Sequence, residues 1–247
     1  MKIGQLKLGT GGLSVGLSNN QLKIIAMFAM ACDHVGKALL PGCVWLQMIG
    51  RISFPIFAYM IAEGCHHTKH KWRYWLHLAV LSLGCQLVYF FMMDSLYMSV
   101  LVTFSVSILL IYAIDFFWKR KNVWTFLLML VAFGGAFFLA EGITMWFPQS
   151  GYLLDYGLYG VMFPVVVYCM PGVWAKLGGS SVMLTIKAFL SGGIHWYGFF
   201  TLPLLLLYNG ERGKHKLKYL FYIFYPTHLA LIYLLQMILI WLADHGA

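Results

Sequence analysis

The stretch L-K-I-I-A-M-F-A-M-A-C-D-H-V-G-K-A-L-L, residues 22–40, predicts a helix that crosses a membrane. Its nineteen residues suffice to span a bilayer at about 1.5 Å per residue. The run nevertheless carries Lys23 near one end and the neighbours Asp33 and His34 just past its middle. An ionisable side chain at that depth costs about 2.5–3.5 kcal/mol on insertion scales. Such residues are retained either as a buried ion pair that locks helices together or as a functional centre.

The composition of the whole chain indicates an integral membrane protein. Of its 247 residues, 61% are hydrophobic and 10% are charged, and the mean hydropathy is +0.78, which excludes a soluble globule. Apolar runs of about twenty residues between short polar loops favour an all-α, polytopic helical bundle over an outer-membrane barrel. We expect a cytoplasmic N-terminal segment at residues 1–20 and a single transmembrane domain at residues 21–247.

The net charge of +9 comes from basic residues in the loops, and they form no patch interleaved with exposed aromatic residues. This distribution predicts cytoplasmic loops that flank membrane spans and contact anionic lipid, and no nucleic-acid partner. The five cysteines are isolated and odd in number, so neither a disulfide framework nor a metal site is expected.

The order of the apolar runs predicts about nine spans in a bacterial cytoplasmic (inner) membrane, with the N-terminus inside and the C-terminus outside. Basic loops at Lys69, Lys119 and Lys214 are expected in the cytoplasm, and a loop containing Glu141 outside. Two short spans, broken at residues 191–193, are needed in the stretch 174–208 to keep the Lys214 loop inside. The remaining predicted spans are residues 22–40, 44–62, 72–93, 96–118, 123–140, 152–170 and 217–243.

Three polar residues in different spans are predicted to meet at one depth. Helix rise places His34 about 18 Å and His228 about 16 Å above the inner ends of their spans, and Arg51 about 10 Å below the outer end of its own. One polar centre shared by the first, second and last spans explains this agreement. Because neighbouring residues on a helix do not face each other, we expect Asp33 to pair with Arg51 rather than to orient His34.

Six motifs in a fixed order resemble those of the TraX family of membrane proteins. The resemblance covers nearly the whole chain from residue 20 onward. It implies a relationship to the wider group of transmembrane acyltransferases and transfer of an acetyl group from acetyl-CoA, an activity linked in the family to acetylation of pilin N-termini. The motifs are K-x10-H from Lys23 to His34, the A-C-D-H-V-G run around Asp33, R-x-x-F-P-x-F from Arg51, D-Y-G-x-x-G from Asp155, Y-N-G-E-R-G from Tyr208, and F-Y-P-x-H-L around His228.

With this resemblance, each polar residue receives an expected role. Lys23 lies eleven residues before His34, about 16 Å along the same helix face, which suits an extended acyl-CoA whose thioester reaches His34. A neutral imidazole there can accept a proton from an attacking amine or hydroxyl near pH 7. Expected catalytic residues are His34, Asp33, Arg51 and His228, expected CoA-binding residues are Lys23, Asn209, Arg212 and Lys214, and expected acceptor-side residues are Asp155 and Tyr156.

The acceptor itself is left open, as a protein N-terminus, a glycan or a lipid. A proton-coupled transporter or channel is the alternative function, because buried aspartate, histidine and arginine residues also make a proton relay. The sequence contains no internal repeat with paired broken helices, which weakens that alternative. A purely structural membrane protein leaves the agreement in depth unexplained.

Overall fold

The computed structural model describes residues 16–93, 95–213 and 217–245 and is almost entirely helical, as predicted. A π turn, Phe138–Gly142, and two 3-10 helices, Pro148–Ser150 and Gly193–Phe200, interrupt the α-helices, and two short strands, β1 (Tyr97–Met98) and β2 (Leu153–Leu154), pair in parallel. The helices are α1 (Asn19–Ala38), α2 (Val44–Gly50), α3 (Ser53–His67), α4 (Lys71–Met93), α5 (Val100–Arg120), α6 (Val123–Phe137), α7 (Ile143–Trp146), α8 (Gly157–Cys169), α9 (Gly172–Ser191), α10 (Thr201–Leu206) and α11 (Lys218–His245).

The lengths and surfaces of these helices are those of a membrane protein. Five helical stretches in the described part of the chain are long and apolar enough to cross a bilayer. Their outer faces expose large apolar side chains, as lipid contact requires and water does not favour. The five are Val44–His67, Lys71–Phe91, Val100–Arg120, Val123–Trp146 and Ile223–His245; α8 is shorter, and α1 and α9 reach 20 residues each but carry more polar residues.

The centre of the bundle is formed by α1, α3, α5 and α8. Ile56, Ile108 and Val161 pack there without exposed surface. Helices α4, α6 and α11 lie around this centre and present most of their apolar surface outward. Ion pairs between Lys71 and Asp115 and between Glu63 and Lys176 join α4 to α5 and α3 to α9.

The start of α1 is held by a segment that we call the strap, residues 207–213. Ser18 and Gln21 form a capping box. The N–H groups of Asn19 and Asn20 donate to the strap carbonyls of Glu211 and Arg212, at 2.8 and 3.3 Å. The predicted boundary between residues 20 and 21 therefore falls inside α1, which begins at Asn19.

The second predicted span is divided just before Pro55. Proline has no N–H to donate to the Arg51 carbonyl, so the helix breaks after α2 and resumes as α3. Gly50, the last residue of α2, lies directly against Asp33, and a Cβ at this position would collide with the Asp33 side chain. The break and this glycine together bring Arg51 next to α1.

The predicted break at residues 191–193 is confirmed. Gly192 and Gly193 have φ values of 62° and 53°, which end α9 because side-chain-bearing residues avoid this region. The second half of the stretch is not a regular α-helix, since the 3-10 helix leads into the six-residue α10.

Three predicted boundaries are wrong for local reasons. Helix α5 starts at Val100 rather than at residue 96, because the preceding residues form β1. Helix α8 starts at Gly157 rather than at residue 152, because β2 and a turn precede it. Glu141 was expected in an external loop, but it lies in the π turn that continues α6, where its carboxylate accepts the N–H of Leu158.

Candidate functional site

The predicted pairing of Asp33 with Arg51 is confirmed. The Arg51 guanidinium donates through Nη2 to Asp33 Oδ1 and through Nε to the Gln47 carbonyl at 3.1 Å. Both partners of the pair are buried, with side-chain exposures of 10% and 11%. Lys37, one turn further along α1, reaches the other Asp33 oxygen at 2.5 Å from a position that is 51% exposed. The buried carboxylate is thus held by two cations.

His34 and His228, which were predicted to lie at the same depth, contact each other directly. His34 Nδ1 lies 3.0 Å from His228 Nε2, and His228 Nδ1 lies 2.7 Å from the Phe224 carbonyl oxygen. A carbonyl oxygen only accepts, so His228 carries its proton on Nδ1 and accepts at Nε2. His34 then donates from Nδ1, which leaves its Nε2 as a proton acceptor. A chain of two hydrogen bonds sets the tautomer of His34.

His34 also lines a cavity of about 70 Å³, a volume large enough for several water molecules. The cavity brings the two halves of the predicted site together, since Asp33 and His34 on α1 face Asp155 and Tyr156 before α8. Aromatic rings from four helices and β1 complete much of its wall. These are Phe54, Phe57, Tyr89, Tyr97, Phe104 and Tyr225.

The acceptor-side residues Asp155 and Tyr156 are held in an unusual turn. Tyr156 has a φ of 61°, a left-handed conformation that is uncommon for a bulky residue, and its ring stacks on Phe54 with 3.9 Å between centroids. Thr103 donates to the Asp155 carbonyl at 2.7 Å. Burial raises the pKa of the Asp155 carboxyl, and a hydrogen bond with the Tyr97 hydroxyl opposes that effect.

The polar centre lies nearer one end of α1 than the sequence indicates. His34 is four residues before the last residue of the helix, Ala38, which corresponds to about 6 Å of helix rise. Lys23 lies at the opposite end, beside the strap. Lys23, predicted to bind CoA, and His34, predicted to be catalytic, therefore lie toward opposite ends of α1.

The strap brings Arg212 close enough to Lys23 for the two cations to repel each other. The start of α1 does not offer its first two N–H groups to an anion, because strap carbonyls accept them. Asn209, expected to bind CoA, lies in the strap, where its side-chain oxygen accepts the N–H of Glu211 at 2.9 Å and so shapes the strap turn. Lys214, also expected there, lies outside the described residues.

Two methionines occupy the helix face between Lys23 and His34. Met27 and Met30 fall on that face by helical spacing, and each is 7% exposed. Met30 also forms part of the cavity wall. The route that the sequence suggested for an acyl-CoA arm is therefore filled by side chains in this structure.

Sequence reasoning missed several residues of the site. Lys37 and Tyr97 line the cavity, and the Lys187 ammonium lies 5.7 Å from the ring centroids of both Tyr156 and Tyr159. Lys37 had a detectable signal, since it follows Asp33 by four residues on the same helix. Tyr97 and Lys187 lie on separate elements, and only the packing of those elements brings them to the site.

Comparison with known proteins identifies the family of this chain. The chain is 27% identical, over 249 aligned positions, to a probable fimbrial assembly protein FimC, serogroup H1, from Dichelobacter nodosus; the match covers 89% of this chain and 96% of that protein. No solved structure matches the chain. The family model described as TraX protein matches residues 18–236, which include every described residue of the candidate site. The chain therefore belongs to the TraX family.

Proposed function

We propose that this protein is a membrane acetyltransferase that moves an acetyl group from acetyl-CoA to an amine or hydroxyl acceptor. The observation that carries the proposal is the chain from the Phe224 carbonyl through His228 to His34. It leaves a basic imidazole nitrogen on a residue that lines a cavity. In a membrane interior such a polar arrangement is costly, which favours a functional role over a purely structural one.

In the proposed reaction, His34 Nε2 takes the proton from the acceptor nitrogen or oxygen as that atom attacks the thioester carbonyl. A bond forms between the acceptor and the acetyl carbon, the carbon–sulfur bond breaks, and the proton is passed to the departing CoA sulfur. His228 stabilises the imidazolium that forms transiently on His34, because it accepts the hydrogen bond from Nδ1. This assigns His228 to orienting His34 rather than to holding the thioester.

Asp33 and Arg51 hold the polar centre in place. Arg51 uses Nη2 for Asp33 and Nε for the Gln47 carbonyl, so two of its three nitrogens serve the junction between α1 and α2. Their pairing keeps the last turns of α1, including His34, in register with the break before α3. Because Arg51 is engaged in these two hydrogen bonds, Lys37, which lines the cavity beside the pair, is the better candidate for a cation that contacts substrate.

On the donor side, Lys23 and Arg212 supply positive charge for the phosphates of CoA, about 16 Å from His34 along α1. An acyl-pantetheine arm reaches the cavity only when Met27 and Met30 move. Unbranched thioether side chains are well suited to such movement, because they have three rotatable bonds and no branched carbon. Acetyl-CoA is the donor substrate, and the proposed chemistry uses no metal.

We further propose nine crossings of a bacterial inner membrane, with the N-terminus in the cytoplasm. The strap then lies on the cytoplasmic side, where acetyl-CoA is made, and the cavity lies toward the outer side. Acyl donor and acceptor approach from opposite ends of α1. The name of the Dichelobacter relative, a probable fimbrial assembly protein, supports an acceptor among the subunits of a surface fibre, with a glycan or lipid as the alternatives.

The same histidine pair also supports a second function, proton-coupled transport, because a chain of imidazoles conducts protons. Purified protein incubated with acetyl-CoA labelled in the acetyl group, together with membrane or peptide acceptors, distinguishes the two. The acyltransferase binds labelled acetyl-CoA and transfers label. Absence of both, combined with proton uptake into vesicles that contain the protein, contradicts the proposal and supports the transporter.

A further inference from the structure

Glu141 is a carboxylate that the proposed chemistry does not use, yet a helical irregularity brings it into the bundle. Ala136 of α6 and Ala140 of the π turn both face inward, at 3% and 2% exposure. In a continuous α-helix, Glu141 would lie about 140° around the axis from Ala136, toward the lipid side. The π turn adds one residue to the turn and returns Glu141 to the bundle side. A carboxylate is costly against lipid, so the turn relocates it to a protein contact.

That contact is the start of α8. Glu141 Oε1 accepts the N–H of Leu158 at 2.9 Å, one of the donors that a helix start leaves without an intrahelical partner. A negative charge at this end also complements the helix dipole. Gly157 makes the approach possible, because its φ is 53° and a Cβ there would lie 2.6 Å from Glu141 Oε1. The first glycine of the D-Y-G-x-x-G motif thus accommodates Glu141.

The residues just before this contact are those of the cavity wall. Asp155 N–H donates to the Met98 carbonyl at 2.9 Å, and Thr103 donates to the Asp155 carbonyl at 2.7 Å. Those two contacts hold one side of Tyr156, and Glu141 holds the other through Leu158. A left-handed tyrosine persists when its surroundings fix it on both sides.

We propose that Glu141 is a positioning residue for the acceptor side of the site: its carboxylate anchors the start of α8 and thereby holds Asp155 and Tyr156 against the cavity. The catalytic consequence rests on the proposed acyl transfer, whereas the anchoring itself does not. Glu141 acts through the α8 start and has no contact with the reacting atoms.

Three variants test the proposal. Glu141→Ala removes the acceptor oxygen, and Glu141→Gln keeps one. Asn122→Ala is the matched control, because the Asn122 side chain accepts the N–H of Thr125 at 2.8 Å and so caps the opposite end of α6. Amide hydrogen exchange in detergent or nanodiscs, followed over residues 153–162 and 122–128, reports each cap without any assay of activity.

We expect Glu141→Ala to speed exchange at residues 157–160 about tenfold, as loss of one hydrogen bond implies, while Glu141→Gln stays close to the native protein. Asn122→Ala speeds exchange only near residue 125. In the transferase assay, Glu141→Ala raises the acceptor KM about fivefold to tenfold with a smaller change in kcat, and Glu141→Gln restores it.

If residues 157–160 of Glu141→Ala exchange at the native rate, Glu141 does not anchor the start of α8. Faster exchange with an unchanged acceptor KM overturns the positioning role, and so does an equal rise in KM in the Asn122→Ala control. If the native protein transfers no acetyl group, the proposed function fails, while the exchange measurement still decides whether Glu141 anchors the α8 start.

Discussion

The two ends of α1 hold their charges in opposite ways. At the end near Lys23, backbone groups of the strap close the helix, and the cations Lys23 and Arg212 repel each other. At the end near His34, the Asp33 carboxylate is paired with Arg51 and Lys37, and the imidazole of His34 is hydrogen-bonded to His228. One end brings two cations close together, and the other pairs its charges internally.

This difference indicates different uses. In the proposed function, the two cations held close together attract the phosphate groups of CoA. A paired centre binds no extra charge strongly, but it keeps a neutral imidazole oriented and ready to accept a proton. Substitutions at the Lys23 end are therefore expected to weaken binding, and substitutions at the His34 end are expected to impair folding or chemistry.

The largest effect is expected where a buried charge loses its partner. Arg51→Gln or Asp33→Asn alone should destabilise the protein by about 3–5 kcal/mol, because each change leaves the other buried charge without its main partner. The double variant should be less destabilised than the worse single variant. Thermal unfolding in detergent or nanodiscs measures all three.

Lys37→Ala is the matched control, since Lys37 pairs with the same carboxylate from an exposed position. Its effect should stay below about 1 kcal/mol, as for other exposed pairs. A double variant that is less stable than both single variants would show that Asp33 and Arg51 do not compensate each other.

The next effect concerns the orientation of His34. His228→Ala removes the acceptor for His34 Nδ1–H, so the imidazole is free to turn and to change tautomer, and kcat should fall about 100-fold to 1,000-fold. His228→Gln keeps an acceptor oxygen and should recover part of the rate. Acetyl-CoA affinity should stay within about threefold of the native protein in both variants, because neither changes the Lys23 end.

His66→Ala serves as the control for loss of an imidazole elsewhere. His66 stacks on Tyr168 with 4.1 Å between ring centroids and takes no part in the polar centre. The acetyl-transfer rate of His66→Ala should be close to that of the native protein. If His66→Ala slows transfer as much as His228→Ala, the effect is a general loss of packing rather than of the histidine chain.

The smallest effect is expected at the cationic end. Lys23→Ala should weaken acetyl-CoA binding about threefold to tenfold at low salt, with kcat nearly unchanged, because the proposed contact of this lysine is with phosphate and not with the reacting atoms. The loss should shrink as ionic strength rises. Equilibrium binding of labelled acetyl-CoA from 20 mM to about 500 mM salt measures it.

Lys69→Ala, at an exposed position in the loop between α3 and α4, is the control for loss of one positive charge. It should leave the affinity unchanged at every salt concentration. A Lys23→Ala protein with native affinity at low salt would remove the cationic end from the donor site.

The sequence alone predicts the features that follow from the energetic cost of burying a charge and from the spacing of residues along a helix. A buried carboxylate needs a cation, and Arg51 in the next apolar run was available, so the Asp33–Arg51 pair could be predicted. The agreement in depth between His34 and His228 also followed from helix rise. The break at Gly192 and Gly193 followed from the preference of glycine for positive φ.

The tautomer of His34 could not be predicted, because it depends on which atom of His228 faces the Phe224 carbonyl. The place of Glu141 was predicted wrongly for a related reason. A π turn has no compositional signature, and one extra residue rotates every later side chain of the helix. Asn209 stays a predicted CoA-binding residue, and the structure adds that its amide oxygen forms a local turn, a common use of asparagine in loops.

If His34 performs the proposed chemistry while the opposite end of α1 binds the donor, one paired measurement on His34→Ala separates the two roles. Acetyl-CoA binding and single-turnover acetyl transfer are measured on the same preparations of native and His34→Ala protein. The account predicts affinities within about threefold of each other and a rate reduced at least 100-fold, because alanine removes the proton acceptor without leaving an unpaired charge. A His34→Ala protein that transfers acetyl at the native rate, or native protein that binds no acetyl-CoA, would contradict the account.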